Sequence, residues 1–205
     1  MAERAELFRI FLRHGIEVAN GLEPALAFVE AYPRTVAESS SPTTPFGEED
    51  LRRANRGGAR ISAAEIKAVL ERRRKIERWL REIEPSASLA ARTVPWSALT
   101  GLFECFAGIR GFGFSKLTKT LPKRPALVPM LDSVVQAYLQ EDDPGASASF
   151  EDRATALVRS YKRDLDRNRA SLRQLRRELA TRGYRLTEVR ILDILIWSAF
   201  ADPSG

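Results

Sequence analysis

Apolar residues recur at three- and four-residue spacing along most of the chain, and sustained alternation of apolar and polar positions is scarce. This pattern predicts an all-α fold that needs no strand. Leu7, Ile10 and Phe11 mark a first helix, and Leu26, Phe28 and Val29 a second that stops by Tyr32-Pro33. Ser, Thr and Pro dominate Thr35–Pro45, which reads as a flexible loop over 35–46. A short helix over Glu48–Ala54 ends in the break Asn55-Arg56-Gly57-Gly58, after which Ser62 and Glu65 stand in capping-box positions. The helix they open runs to about Glu84, with one apolar stripe of Ile66, Val69, Leu70, Ile76, Trp79, Leu80 and Ile83. Its other face carries Arg72, Arg73, Arg74, Lys75, Arg78 and Arg81 interleaved with Glu71, Glu77 and Glu82, the pattern of a solvated face.

Beyond Pro85–Ser88 a helix is expected over Trp96–Phe106, a glycine-punctuated turn over Gly108–Gly113 and a helix over Phe114–Leu121. Pro122 and Pro125 bracket a loop, and another helix starts near Asp132 or Ser133. After a loop at Gly145–Ser149, one long helix from Glu151 to about Arg182 closes at Gly183. The last helix, Thr187–Phe200, is apolar on most sides and is expected to be buried, with Asp193 paired to Arg190 as a structural ion pair. A chain of 205 residues suits one compact unit, built around a single core or as two helical lobes sharing a cleft.

Composition narrows the chemistry. The one cysteine, Cys105, lies among apolar residues and cannot build a disulfide framework or a cysteine-ligated metal site within the chain. His14 is the only histidine, which removes any mechanism that needs two imidazoles. Carboxylates and amines remain as the reactive groups, with no cofactor or metal called for. Met1–Glu6 is charged and lacks the apolar core of a signal peptide, and no apolar run is long enough to span a bilayer, so a cytoplasmic monomer with no membrane partner is expected. The net charge of +6 suits a polyanion. Between Ala107 and Leu131 the bases Arg110, Lys116, Lys119, Lys123 and Arg124 have no acidic residue to offset them.

In Ile109-Arg110-Gly111-Phe112-Gly113-Phe114-Ser115-Lys116, two glycines around one apolar residue form a tight turn between helices. Backbone N–H groups there can approach phosphate, with Lys116 and Lys119 beside them. Asp132 follows Gly113 by nineteen positions, delivered to a helix start by Leu127-Val128-Pro129-Met130-Leu131. The helix dipole favours negative charge at that place.

These features resemble the helix-hairpin-helix DNA glycosylase superfamily. Its hairpin has an apolar-x-Gly-apolar-Gly core, matched by Ile109 to Gly113, and an essential aspartate follows at about the distance of Asp132. The resemblance covers about Ile109–Leu139 and implies an all-α, helix-hairpin-helix glycosylase-like bundle with a cleft between two helical lobes. It implies a monofunctional DNA glycosylase that flips a damaged or modified base from double-stranded DNA and hydrolyses its N-glycosidic bond, in repair or against phage DNA with modified bases. Asp132 is the implied catalytic carboxylate. The position of the Schiff-base lysine of bifunctional members is Ser115 here, which leaves Lys116, one residue later, as the amine for any residual lyase step. Gly111, Phe112, Gly113, Phe114, Ser115, Lys116, Lys119, Lys123 and Arg124 are the expected DNA contacts. Asn55 and Arg56 are candidates for a loop that fills the gap left by the base. A second resemblance rests on Asp50-Leu51 with Asn55, on Lys123-Arg124-Pro125 with Pro129 and Asp132-Ser133-Val134-Val135, and on Arg190 with Leu192-Asp193 and Trp197. It is to an actinobacterial family of hairpin-containing proteins, and it brings no established chemistry.

Other readings stay open at this point. Asp132 serves as a helix cap in a non-catalytic duplex-binding module, or the Arg72–Arg81 face binds acidic proteins. Core packing is the better expectation for Trp96, Phe112, Phe114 and Trp197 than stacking on a base. A cavity opening onto Asp132 separates an enzyme from a module, because a cap needs none.

Overall fold

The structure is a computed structural model that describes residues 8–32, 44–121 and 123–200. The spacing of Leu7, Ile10 and Phe11 predicts a helix, but the described chain begins with a hairpin, and Leu7 lies outside the described residues. His14 and Gly15 hold positive φ, 56° and 70°, as the two central residues of a type I′ turn do. Ile16 N–H closes the turn on the Arg13 carbonyl at 3.2 Å. Strand β1 (Ile10–Phe11) pairs antiparallel with β2 (Glu17–Val18). On its other edge the Asn168 side chain replaces a third strand, accepting from Phe11 N–H at 2.7 Å and donating to the Phe11 carbonyl at 2.9 Å. That pairing satisfies backbone groups which a helix would have satisfied internally.

The remaining described residues are largely helical. Ten α-helices follow: α1 (Leu22–Ala31), α2 (Glu48–Arg56), α3 (Ala63–Glu71), α4 (Arg73–Glu82), α5 (Trp96–Glu104), α6 (Phe114–Thr120), α7 (Ser133–Leu139), α8 (Phe150–Arg167), α9 (Arg169–Thr181) and α10 (Glu188–Phe200). Among the described residues no helix is long and apolar enough to cross a membrane.

Two long predicted helices are each broken by a polar residue with work elsewhere. The stripe over Ser62–Glu84 divides at Arg72, whose Nη1 donates to the Cys105 and Ala107 carbonyls at 3.0 and 2.6 Å. It thereby satisfies carbonyls left over at the C-terminal end of α5. The stretch Glu151–Arg182 divides at Asn168, held by Phe11 as above. The Ser62–Glu65 capping box is present, with Ser62 N–H donating to Glu65 Oε2 at 2.7 Å. Gly183, at φ +91°, ends α9. The flexible loop expected over 35–46 falls largely outside the described residues, and at its end Phe46 is 1% exposed, packed into the core.

Two helices flank α5. It lies between α4 and α8, and α2 packs on α6, while α10 packs on α1, α7 and α9. Gly101 of α5 lets α4 close in, since a Cβ there would lie 2.4 Å from the Trp79 ring. Cys105 is buried as expected of a small hydrophobe, its thiol pushed up to about 11 by burial.

A buried polar knot fixes the hairpin to this frame. Arg13 Nε donates to Asp164 Oδ2 at 2.7 Å, and its Nη1 pairs with Asp142. Tyr138 donates to the same Asp164 oxygen at 3.1 Å. Burial alone would raise the Asp142 carboxyl, but its bonds from Arg13 and Ser160 hold it at about 2. An Asp depressed in this way contributes stability that is fully present above its ordinary value near 4 and lost as pH falls toward 2.

Arg13→Ala is expected to cost about 3–5 kcal/mol in urea unfolding, because it removes the closest cation from the buried Asp164 and leaves it only the Tyr138 hydroxyl and Arg167 at 3.4 Å. It should also flatten the stability profile between pH 4 and 2. Gly101→Ala should cost about 1–3 kcal/mol by overpacking against Trp79, and unchanged midpoints would refute either assignment.

Candidate active site

A half-open cavity of about 620 Å³ lies where α1, α2, α6, α7 and α10 meet. Phe28 comes from α1 and Tyr32 from its C-cap, and Arg53, Ala54, Arg56 and Gly57 come from the end of α2. Lys119 comes from α6, Met130 and Asp132 from the approach to α7, Val135 from α7 itself, and Arg190, Asp193, Ile194 and Trp197 from α10. Spacing explains the last set: residues three and four apart share a helix face, so Arg190, Asp193 and Trp197 point the same way, as do Phe28 and Tyr32.

Asp132 is the N-cap of α7, its Oδ1 accepting from Val135 N–H at 3.0 Å. One oxygen is thus committed to the helix while the residue lines the cavity, half-buried. Its backbone is held from both sides. Met130 N–H donates to Asp193 Oδ2 at 3.1 Å, and Leu131 N–H donates to Thr118 Oγ1 at 3.1 Å. The Gln136 side chain donates to the Leu131 carbonyl at 2.8 Å.

One wall is aromatic. Phe28 lies 5.0 Å from Tyr32 and 5.7 Å from Trp197, ring centre to ring centre. Tyr32 and Trp197 are among the few large apolar side chains left exposed, at 47% and 36%. The Arg190 guanidinium sits 5.5 Å over the Phe28 ring. It makes no ion pair with Asp193, contrary to the expected structural pair. Asp193 is 5% exposed and its Oδ1 has no hydrogen-bond partner among the described residues. Burial pushes its carboxyl up to about 7 despite the opposing charge of Arg190.

The expected DNA contacts divide. Arg56 and Lys119 reach the cavity, and Lys119 makes no ion pair among the described residues. Gly111 and Gly113 are exposed in the turn between α5 and α6, and Gly111, at φ +81°, faces the Glu65 carboxylate, 3.0 Å from where a Cβ would stand. Ser115 is half-buried and does not line the cavity. Lys116 is bound to Glu65 at 2.6 Å, outside the cavity. Burial would raise the Glu65 carboxyl, and the Lys116 and Ser62 hydrogen bonds bring it below its ordinary value.

Four expected side-chain contacts are corrected by burial. Phe112 stacks on Phe106 at 5.4 Å and Phe114 packs on Phe150 at 4.9 Å, each almost wholly buried. Lys123 is buried against Asp50 at 3.3 Å and Thr44 at 2.7 Å. Arg124 is buried and donates to the Leu80 and Ile83 carbonyls at the end of α4, at 2.8 and 3.0 Å. Such a cation braces the fold and is out of reach of a phosphate. Asn55 is likewise engaged, closing its own loop through two bonds to the Ile61 backbone. Trp96 lies away from the cavity beneath Arg159. The run Arg73 to Arg81 is a mostly solvated face, with Arg73 paired to Glu77 and Lys75 to Glu104.

A more open groove of about 1000 Å³ runs between α2 and α3, lined by Ile66, Leu70 and exposed charges such as Glu48 and Arg52, which pair with each other. No buried ionisable group faces it.

Residues 31–200 match the family of unknown function DUF6308. No curated protein and no solved structure matches the chain.

Replacing Arg124 by Leu is expected to lower stability by about 1–3 kcal/mol, the cost of leaving buried carbonyls unpaired. A variant as stable as the parent in thermal melts would remove Arg124 from the frame of the fold.

Proposed function

We propose that this chain, which belongs to the DUF6308 family, is a monofunctional DNA glycosylase that takes a flipped base into the cavity beside Asp132. The observation that carries the reading is the cavity itself: a carboxylate at its wall, aromatic rings on one side and cationic side chains around it. A planar base can lie against such a wall of rings, and extrusion from the stack costs a few kcal/mol, least for a damaged or mispaired base. Lys119, which makes no ion pair among the described residues, suits a phosphate that flanks an extruded nucleotide. Lys119 belongs to the helix that follows the glycine turn, so the duplex grip expected there and the cavity share one element.

Breaking an N-glycosidic bond builds positive charge on the sugar, and a fixed carboxylate next to the anomeric carbon stabilises it. Water then adds its oxygen to that carbon, the bonding pair leaves with the base, and Asp132 takes the water proton. The backbone bonds from Met130 and Leu131 restrain where the Asp132 carboxylate stands, which is how positioning lowers such a barrier.

The cap hydrogen bond of Asp132 favours one other reading, a duplex-binding module without chemistry. The test is incubation with duplexes carrying a panel of damaged and modified bases, followed by alkali to cut abasic sites. Asp132→Asn should retain DNA affinity and lose excision by about 10²–10⁴-fold. Tight binding with every base left intact would establish the module. Lys119→Ala should weaken binding and lower the salt slope by about one unit.

A further inference from the structure

One residue of the cavity wall carries hydrogen-bonding capacity that the fold leaves unused. Arg190 lines the cavity from α10, and its guanidinium makes no hydrogen bond and no ion pair among the described residues. None of its nitrogens is among the unpaired side-chain atoms shut away from solvent, so its donors are open and not orphaned in the core. Its one close partner is the Phe28 ring, whose centre lies 5.5 Å from the guanidinium carbon. Stacking of this kind uses the flat face of a guanidinium and leaves its N–H donors pointing outward in the plane.

The start of α10 fixes where that side chain stands. Thr187 Oγ1 accepts from Arg190 N–H at 3.1 Å and donates to the Pro125 carbonyl at 3.1 Å, and the Tyr161 hydroxyl donates to the Val189 carbonyl at 2.7 Å. Arg190 continues the aromatic wall, since Phe28 meets its guanidinium on one side and the Trp197 ring on the other. Seven residues of one helix separate Arg190 from Trp197, a rise of about 10 Å, so a purine laid against Trp197 turns an edge toward Arg190. An extruded nucleotide brings its base in first, while its phosphates stay with the strand outside.

We infer that Arg190 selects the base, donating two parallel hydrogen bonds to O6 and N7 of a 6-oxopurine such as hypoxanthine. The inference rests on the excision reading of this cavity and names its substrate class. A guanidinium fork matches two adjacent acceptors, and the O6–N7 edge of a 6-oxopurine is such a pair. Adenine sets a 6-amino donor against the fork, N7-methylguanine has no lone pair on N7, and 8-oxoguanine carries a hydrogen there. Each leaves a donor of Arg190 unpaired, a mismatch that a polar site rejects strongly. Undamaged guanine has the right edge but is held in its pair, whereas mispaired hypoxanthine leaves the stack more readily.

These bases differ in how readily they leave, so selection is read first as affinity, on Asp132→Asn. The two probes are duplexes carrying hypoxanthine or 7-deazahypoxanthine opposite thymine, which differ only in a C–H in place of N7. Asp132→Asn should bind the hypoxanthine duplex about 5- to 150-fold more tightly. Adding Arg190→Ala should remove that preference, and Arg190→Lys, which keeps the charge but not the fork, should not restore it. In parallel, the wild-type protein should excise hypoxanthine, and Arg190→Ala should do so about 5- to 150-fold more slowly. If the Arg190 variants do not fold, the comparison of the two duplexes decides alone. Equal affinity for both duplexes, a preference that survives Arg190→Ala, or an equal loss on both that lysine rescues would overturn selection by Arg190. The last of these would mark a phosphate contact, and excision of any base would still stand. No excision of any base in the panel by the wild-type protein would overturn the glycosylase reading itself, and this inference with it.

Discussion

The bond from Met130 N–H to the buried Asp193 carboxyl is the constraint around which the site is arranged. It joins the last helix to the extended segment Pro129-Met130-Leu131-Asp132, and Thr118 of α6 holds the next residue of that segment from the opposite side. A carboxyl is costly to bury, and this one meets a backbone donor and stays near Arg190, while burial pushes it up to about 7. The same arrangement puts Asp193 and Asp132 in the lining of one cavity. The packing of the last helix and the lining of the cavity therefore come from one set of contacts.

Elsewhere the frame is tied by cations that reach carbonyls or carboxylates across long stretches of chain. Arg72 reaches the turn after α5, Arg124 the end of α4, and Arg13 the knot at Asp142 and Asp164. Lys123 meets Asp50 at the start of α2. Much of the positive charge around the glycine turn is thus spent inside the molecule. Among the cations that line the cavity, Arg56 is paired with Glu49 at 2.7 Å and Arg190 lies over the Phe28 ring, while Lys119 makes no ion pair among the described residues. This redistribution moves the centre of interest from the turn to the pocket beside it.

The aromatic wall adds a feature of another kind. Trp197 meets Phe28 and Tyr32 edge to face, with Tyr32 and Trp197 left partly open to solvent. Exposed rings gathered on a cavity wall beside charged groups are unlike a packed core, where such rings are covered. They offer a flat, polarisable surface to a heterocycle, which suits the proposed excision chemistry.

What the sequence alone determined is local. The helical period, the Ser62–Glu65 box, the stop at Gly183 and Asp132 at the mouth of a helix all depend on neighbours within one or two turns, so they are legible from spacing. Spacing misled where a distant partner outbid local preference. Ile10 and Phe11 form a strand because Asn168 supplies its edge, and the breaks at Arg72 and Asn168 serve carbonyls far along the chain. Charge was legible as composition but not as exposure: Lys123 and Arg124 look like a basic patch until the fold covers them. The face shared by Arg190, Asp193 and Trp197 could be read from helical spacing. Only the tertiary structure decided what that face meets, because bringing Phe28, Lys119, Asp132 and Asp193 to one cavity depends on how helices distant in sequence pack, and packing is set by whole surfaces rather than by any one segment.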